Sequence, residues 1–242
     1  MKDRNKLIIS IVVVILIAAI VVGGTFAYWT WSTNASQNTY VGFTVTDDAS
    51  GDIYAHLIGN GVTTVTNMEP AVCSNTTYAV VKTVQIKWKN NSNNAQTVTA
   101  SLNVTDFAIR NASYKPTTAN LQSLKWAIRS AAVTSSAVSS CDPDGNSSAK
   151  AACNACSTGA VASGDFSGIT MPSSGTTVTS GLPKTLGTVS FTATANTTTE
   201  QTQTYYLYIW LDANYAHTNY GSTNDDPMQG LTFTVNWTGT MQ

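Results

Sequence analysis

Cys73, Cys141, Cys153 and Cys156 are the side chains of this chain whose number and spacing speak most directly of chemistry. An even set in an exported protein predicts disulfides, and four cysteines allow three pairings. The short separations favour Cys141 with either Cys153 or Cys156 as a local staple, leaving Cys73 to tie that stretch to the body of the fold. A structural zinc site made of thiolates typically presents two C-x-x-C knuckles, and "CNAC" at 153–156 supplies one. A thioredoxin-like use of that motif needs a βαβ setting, which its Gly- and Ser-rich surroundings do not offer. Asp142, Asp144 and Asn146 alternate in "DPDGN" in the manner of a calcium loop, but the bidentate Glu that closes such a loop is missing, so a turn is expected. Asp225-Asp226-Pro227 reads the same way, as a turn whose adjacent carboxylates are a secondary calcium candidate. His56 and His217 stand far apart, with no H-E-x-x-H, nucleophile elbow or Gly-rich phosphate loop to recruit them. The residues therefore predict no enzyme activity, no cofactor and no metal.

Across the whole chain, 10% of the residues are charged and the formal net charge is −1, against about a quarter charged in ordinary soluble domains. Thr, Ser and Asn fill the polar positions, so the surface is one of neutral hydroxyls and amides. No basic block follows the first six residues, which excludes a nucleic-acid partner. Those six residues carry Lys2, Arg4 and Lys6, and an apolar run follows from Leu7 to Val22. As a helix that run spans roughly 24 Å, short of the roughly 30 Å hydrocarbon core. Residues 1–27 are thus expected to be a signal peptide, cut between Ala27 and Tyr28 after the small-residue pattern Thr25-Phe26-Ala27. The alternative is an uncleaved apolar helix with Tyr28, Trp29 and Trp31 in the interfacial aromatic belt. In both cases the domain lies outside the cell, and the membrane is met during export or through that helix alone.

After Ser32 the pattern is one of strands. Val41, Phe43 and Val45 alternate with small polar residues, and Ile53 to Ile58 ends in the turn "GNG". Residues 77–107 place Val84, Ile86 and Trp88 on one face, then an Asn-rich turn at 90–94, then Val98, Ala100, Leu102 and Val104, which predicts an antiparallel hairpin. Leu121 to Val133 fits both helical and strand spacing, with strand preferred. Residues 134–183 read as a cysteine-containing insertion on the rim. Strands are expected at 185–195, 204–213 and 230–239. Roughly ten short strands without a strong amphipathic helix predict an all-β, jelly-roll-like antiparallel β-sandwich over residues 47–242.

The two ends of the chain carry a resemblance. "GGTFAYW" after the basic start and apolar run is similar to the N-terminus of the TasA/camelysin family, which typically shows GGT-x-A at the cut. "YYLYIWLDA" followed by "NDDPMQGLTFTVNWTGT" resembles that family's paired closing strands, and the hairpin at 77–107 resembles its Asn-rich central hairpin more loosely. The resemblance implies a secreted jelly-roll subunit that polymerises into biofilm-matrix fibres or surface pili, with copies of itself and accessory matrix or surface proteins as partners. Camelysin-type relatives are classed as metallopeptidases, but the residues here offer no matching motif. The insertion at 134–183 and the aromatic "YWTW" depart from the family pattern.

A sandwich with so little charge has few means of blunting its edge strands. After cleavage, residues 28–46 would form a free leading segment bearing Tyr28, Trp29, Trp31, Tyr40, Val41 and Phe43, a candidate donor strand for β-augmentation of a neighbouring copy. At about 25 cal/mol per Å2, two or three buried aromatics offset the roughly 4 to 15 kcal/mol cost of immobilising a subunit. The segment pairing within its own sandwich is the alternative. Rival functions are a monomeric or anchored adhesin whose exposed Trp and Tyr stack on sugars, and a type IV pilin-like subunit, although the Gly and Glu that mark such pilins are missing. Eight N-x-[ST] sequons, Asn90, Asn103 and Asn196 among them, accompany the Asn-rich composition.

Overall fold

The computed structural model describes residues 41–42, 44–45, 53–59, 70–109, 112–113, 115–215, 227–228 and 231–242. The expected signal peptide or apolar helix, residues 1–27, lies outside them. Among the described residues, eleven strands are divided between two sheets: β1 (Val41–Gly42), β2 (Thr44–Val45), β3 (Ile53–Gly59), β4 (Val80–Asn90), β5 (Gln96–Ala108), β6 (Leu124–Arg129), β7 (Ala162–Asp165), β8 (Thr177–Val178), β9 (Lys184–Ala193), β10 (Thr197–Leu211) and β11 (Thr232–Met241). The first sheet has the order β1-β3-β4-β10-β6-β7 and the second β2-β11-β5-β8, with β9 on the same side of β5 as β8. All pairings among these strands are antiparallel except that of β2 with β11. The chain is an all-β sandwich, as the alternating pattern required.

The expected hairpin at 77–107 is corrected. β4 pairs with β3 and β10, whereas β5 pairs with β11, β8 and β9, so the turn at 90–95 carries the chain from one sheet to the other. Val84, Ile86 and Trp88 therefore meet Val98, Ala100, Leu102 and Val104 across the core rather than along one sheet. Alternation fixes which face of each strand is buried; it carries no information on which sheet the next strand joins. β9 and β10 make the same crossing beside it, pairing with β5 and β4 respectively, which is the winding of a jelly roll.

Asn90 lies at the crossing and ties it together. Fully buried, it donates from Nδ2 to the carbonyls of Asn94 and Ala193, both at 2.9 Å, and its Oδ1 accepts from the Ser92 amide (3.2 Å) and hydroxyl (2.7 Å). One amide side chain thus shapes its own turn and holds the neighbouring one. Asn196, in the left-handed region at φ 57°, returns a backbone N–H to the Ser92 carbonyl at 2.8 Å. Asn tolerates that conformation better than other residues with a Cβ.

A bulge explains the spacing of the buried residues on β5. Thr234 faces Asp106 and Val235 faces Val104, leaving Thr105 without an opposite number, so inward positions shift from Val104 to Phe107. Phe107 then joins Phe166 and Phe233, whose rings lie 5.1 to 6.4 Å apart. Leu121 to Val133 divides between the two periodicities. Helix α1 (Thr118–Ser123) is capped by a reciprocal Thr117–Asn120 box, and β6 takes over at Leu124, where Leu124, Trp126 and Ile128 alternate inward.

Residues 134–183 are corrected too, because they do not form a single rim insertion. The part after 161 returns to the body as β7 and β8, one strand in each sheet. The part before it, with helix α2 (Ser147–Cys153) and two short 3-10 turns, lies over the outer face of the first sheet.

Trp126 fills the gap between sheets where β7 and β9 approach. A Cβ on Gly187 would fall 2.2 Å from its ring and one on Gly164 3.0 Å, so these glycines are required by contact, not by backbone angle. Gly187→Ala is expected to destabilise the fold by about 2 kcal/mol, read by urea denaturation, because the indole is confined on both sides.

Candidate functional site

Of the expected donor residues, Val41 is in a described strand; Tyr28, Trp29, Trp31, Tyr40 and Phe43 lie outside the described residues, as does the cleavage site at Ala27. Residues 41–42 and 44–45 pair with different sheets. Val41 and Gly42 pair antiparallel with Leu57 and His56 at the margin of the first sheet. Thr44 and Val45 then pair in parallel with Thr240 and Met241 at the margin of the second. Within one chain this is the self-pairing that the sequence left open as the alternative. It closes one side of the sandwich, between β3 and β11, with two short ladders. Along that side of β11, among the described residues, Thr232 to Gly239 have no neighbouring strand.

The cysteines form Cys73–Cys156, across 83 residues, and Cys141–Cys153, across 12. The first ties the covering segment to the body and the second staples it, which selects one of the two staples the spacing allowed. All four sulfurs are consumed, so a thiolate zinc centre does not form. Around these bridges sits a small second core: Cys73, Ala79, Ala127, Cys156, Tyr208 and Trp210 are buried together on the outer face of the first sheet. Polar atoms there are matched. Trp210 Nε1 donates to Asn154 Oδ1 at 2.7 Å, Asn154 Nδ2 to Asp212 Oδ1 at 2.9 Å, and the Val133 amide to the Tyr208 hydroxyl at 3.0 Å. The Arg129 guanidinium donates to the carbonyls of Cys156 and Thr158. Such buried disulfides are typical of proteins matured in an oxidising compartment.

Asp142, Asp144 and Asn146 form a turn and a helix cap. Asp142 Oδ1 accepts from the Asp144 amide, and Asn146 Oδ1 from the amides of Ser148 and Ala149, all at 3.1 Å. Among the described residues no three His, Cys, Asp or Glu side chains gather as a metal set. Asp225, Asp226 and His217 lie outside the described residues, and His56 is placed in β3 by its backbone.

No protein-family model and no curated protein matches the chain. Trp88, Trp126, Trp210 and Trp237 are all buried, so none of these indoles is available to stack on a sugar. Burial raises the Tyr205 phenol above its ordinary pKa and lowers that of the Lys82 ammonium, two groups at adjacent inward registers opposite Val84 and Leu207. Among the described residues no helix is long and apolar enough to cross a membrane.

Sequence reasoning missed two residues that matter here. Asn90 was legible only as one of several turn asparagines, and Asn154 carried no signal, since its partners Trp210 and Asp212 are 56 and 58 residues away.

Proposed function

We propose that this protein is the exported structural subunit of an extracellular filament, either a matrix fibre or a surface pilus, assembled by donor-strand exchange between copies. The observation that carries the reading is the pairing of residues 41–45 with the margins of both sheets. Four paired residues bridge β3 and β11, a small ladder to break. The same contacts are available to the same residues of a second copy, so exchange costs little in native pairing while linking subunits head to tail. In sequence, residues 28–40, with Tyr28, Trp29, Trp31 and Tyr40, immediately precede the paired segment. The charge-poor surface favours such augmentation, since neither edge charge nor repulsion opposes it. Export through residues 1–27, with release at Ala27, frees the segment. The resemblance of both chain ends to TasA/camelysin proteins points the same way. The role requires no catalytic step.

Electron microscopy of the concentrated mature protein tests this. Filaments are expected from the protein beginning at Tyr28, and dispersed particles with unchanged circular dichroism from a variant lacking residues 28–46. Filaments from the shortened variant would overturn the reading.

A further inference from the structure

The outer face of the second sheet is a grid of neutral hydrogen-bonding groups. Across β11, β5 and β9 the rows read Gln242–Thr97–Thr192, Thr240–Thr99–Ser190 and Thr238–Ser101–Thr188. Both register shifts of this sheet fall beyond these rows, so spacing is regular at about 4.8 Å between strands and about 6.8 Å between rows. A fourth row is stitched together: Thr185 Oγ1 donates to Asn103 Oδ1 at 2.7 Å and Asn103 Nδ2 to Thr238 Oγ1 at 2.9 Å. Thr97, Thr188, Ser190, Thr192, Thr238 and Thr240 are exposed. The face continues past the bulge into a hollow of about 310 Å3 whose lining joins Asp106, Thr177, Thr232 and Thr234 to Phe107 and Phe233, and where Asp106 contributes a carboxylate. The first sheet is different, with Lys87, Lys89, Lys125, Arg129 and Glu200 on its outward positions. The absence of charge from these rows is thus a property of one face and does not simply follow composition.

We infer that this face binds an uncharged polysaccharide laid along the strands. Every grid position both donates and accepts, so an apolar partner would strand hydroxyls, and a charged partner would lose hydration along the rows with at most the single Asp106 carboxylate at their end to meet it. A neutral polyhydroxyl chain meets both conditions, and its hydroxyls can donate to the Asp106 carboxylate at the end of the grid. With no aromatic platform on these rows, each sugar is held weakly and binding depends on many repeats. Free monosaccharides therefore compete poorly. The inference does not depend on filament formation.

The test is co-sedimentation of the full mature protein with microcrystalline cellulose and with chitin, beside heparin-agarose, in low salt and in 1 M salt. At least tenfold more protein is expected on one of the neutral polymers than on heparin, unchanged by salt. Thr97→Glu with Thr188→Glu, which places two carboxylates at exposed grid positions that carry no side-chain hydrogen bond of the fourth row, is expected to lower retention at least tenfold with an unchanged melting temperature. Thr202→Glu on the other sheet should leave retention intact. Retention on neither neutral polymer, or equal retention by the double variant, overturns the inference. So does a double variant whose loss is confined to self-association, which would make a second copy the occupant of this face.

Discussion

Replacing Cys73 and Cys156 together with serine is expected to lower the unfolding free energy by about 4.5 kcal/mol, because the bridge closes a loop of 83 residues and its removal restores that freedom to the unfolded chain. The corresponding pair Cys141→Ser with Cys153→Ser, closing 12 residues, should cost only about 3 kcal/mol on the same reasoning. The difference has a structural counterpart. Cys73 and Cys156 lie at the centre of the second core over Tyr208 and Trp210, and the Cys156 amide donates to Cys73 Sγ at 3.0 Å. Losing that bridge loosens the cover, so Trp210 fluorescence should shift to the red well before the sheets unfold. Losing the local staple should leave it in place. Urea titrations of the two variants, followed by tryptophan emission and by circular dichroism, check both statements. Equal losses would mean that the cover is held by packing rather than by its tether.

The second large effect is expected at Asn90. Asn90→Ala removes four hydrogen bonds at a fully buried position and leaves the Ala193 carbonyl without its side-chain donor. At about 1 kcal/mol net per bond, with an added penalty for buried groups left unmatched, the loss should be about 3 kcal/mol or more. Asn90→Asp is nearly the same shape but turns a double donor into an acceptor aimed at two carbonyls. At neutral pH it should be at least as destabilising as alanine, and recover part of the loss as acidification protonates the carboxyl. Because Asn90 joins both inter-sheet turns, the variants should lose amide protection around Ser92 and Asn196 first, which hydrogen exchange can resolve. Uniform loss across the sandwich would show that the crossing is not where this amide acts.

Much of the strand content was written in alternating side chains. β4, β5, β10 and β11 fall close to the segments that carry Val84–Ile86–Trp88, Val98–Leu102–Val104, Tyr205–Leu207–Ile209 and Phe233–Val235–Trp237. What alternation does not encode is partnership. An Asn-rich turn between two alternating runs reads equally as a hairpin or as a crossing between sheets, and what distinguishes them are pairings and contacts far off in sequence, such as that of Asn90 with Ala193, 103 residues away. Residues 134–183 misled for a related reason. Weak periodicity hid two short strands whose pairing is set by β6 and β5 and not by their own side chains. The cysteine arithmetic narrowed the disulfides to a short staple plus a tether, while the packing around Trp210 needed three dimensions. At the leading segment the sequence named the aromatics and both possible pairings. The pairing of 41–45 with β3 and β11 supplies the slot, and exchange between copies is a question of occupancy.

A cross-link across that slot answers it most directly. Gly42 and His56 are register partners in β1 and β3, so the mature protein carrying Gly42→Cys and His56→Cys, concentrated and mildly oxidised, reports whose strand fills the edge. Exchange between copies predicts a ladder of covalent oligomers on a denaturing gel without reductant, collapsing to one band when reduced. A single monomeric band, with the new bridge found inside one chain by peptide mass mapping at every concentration, would contradict it.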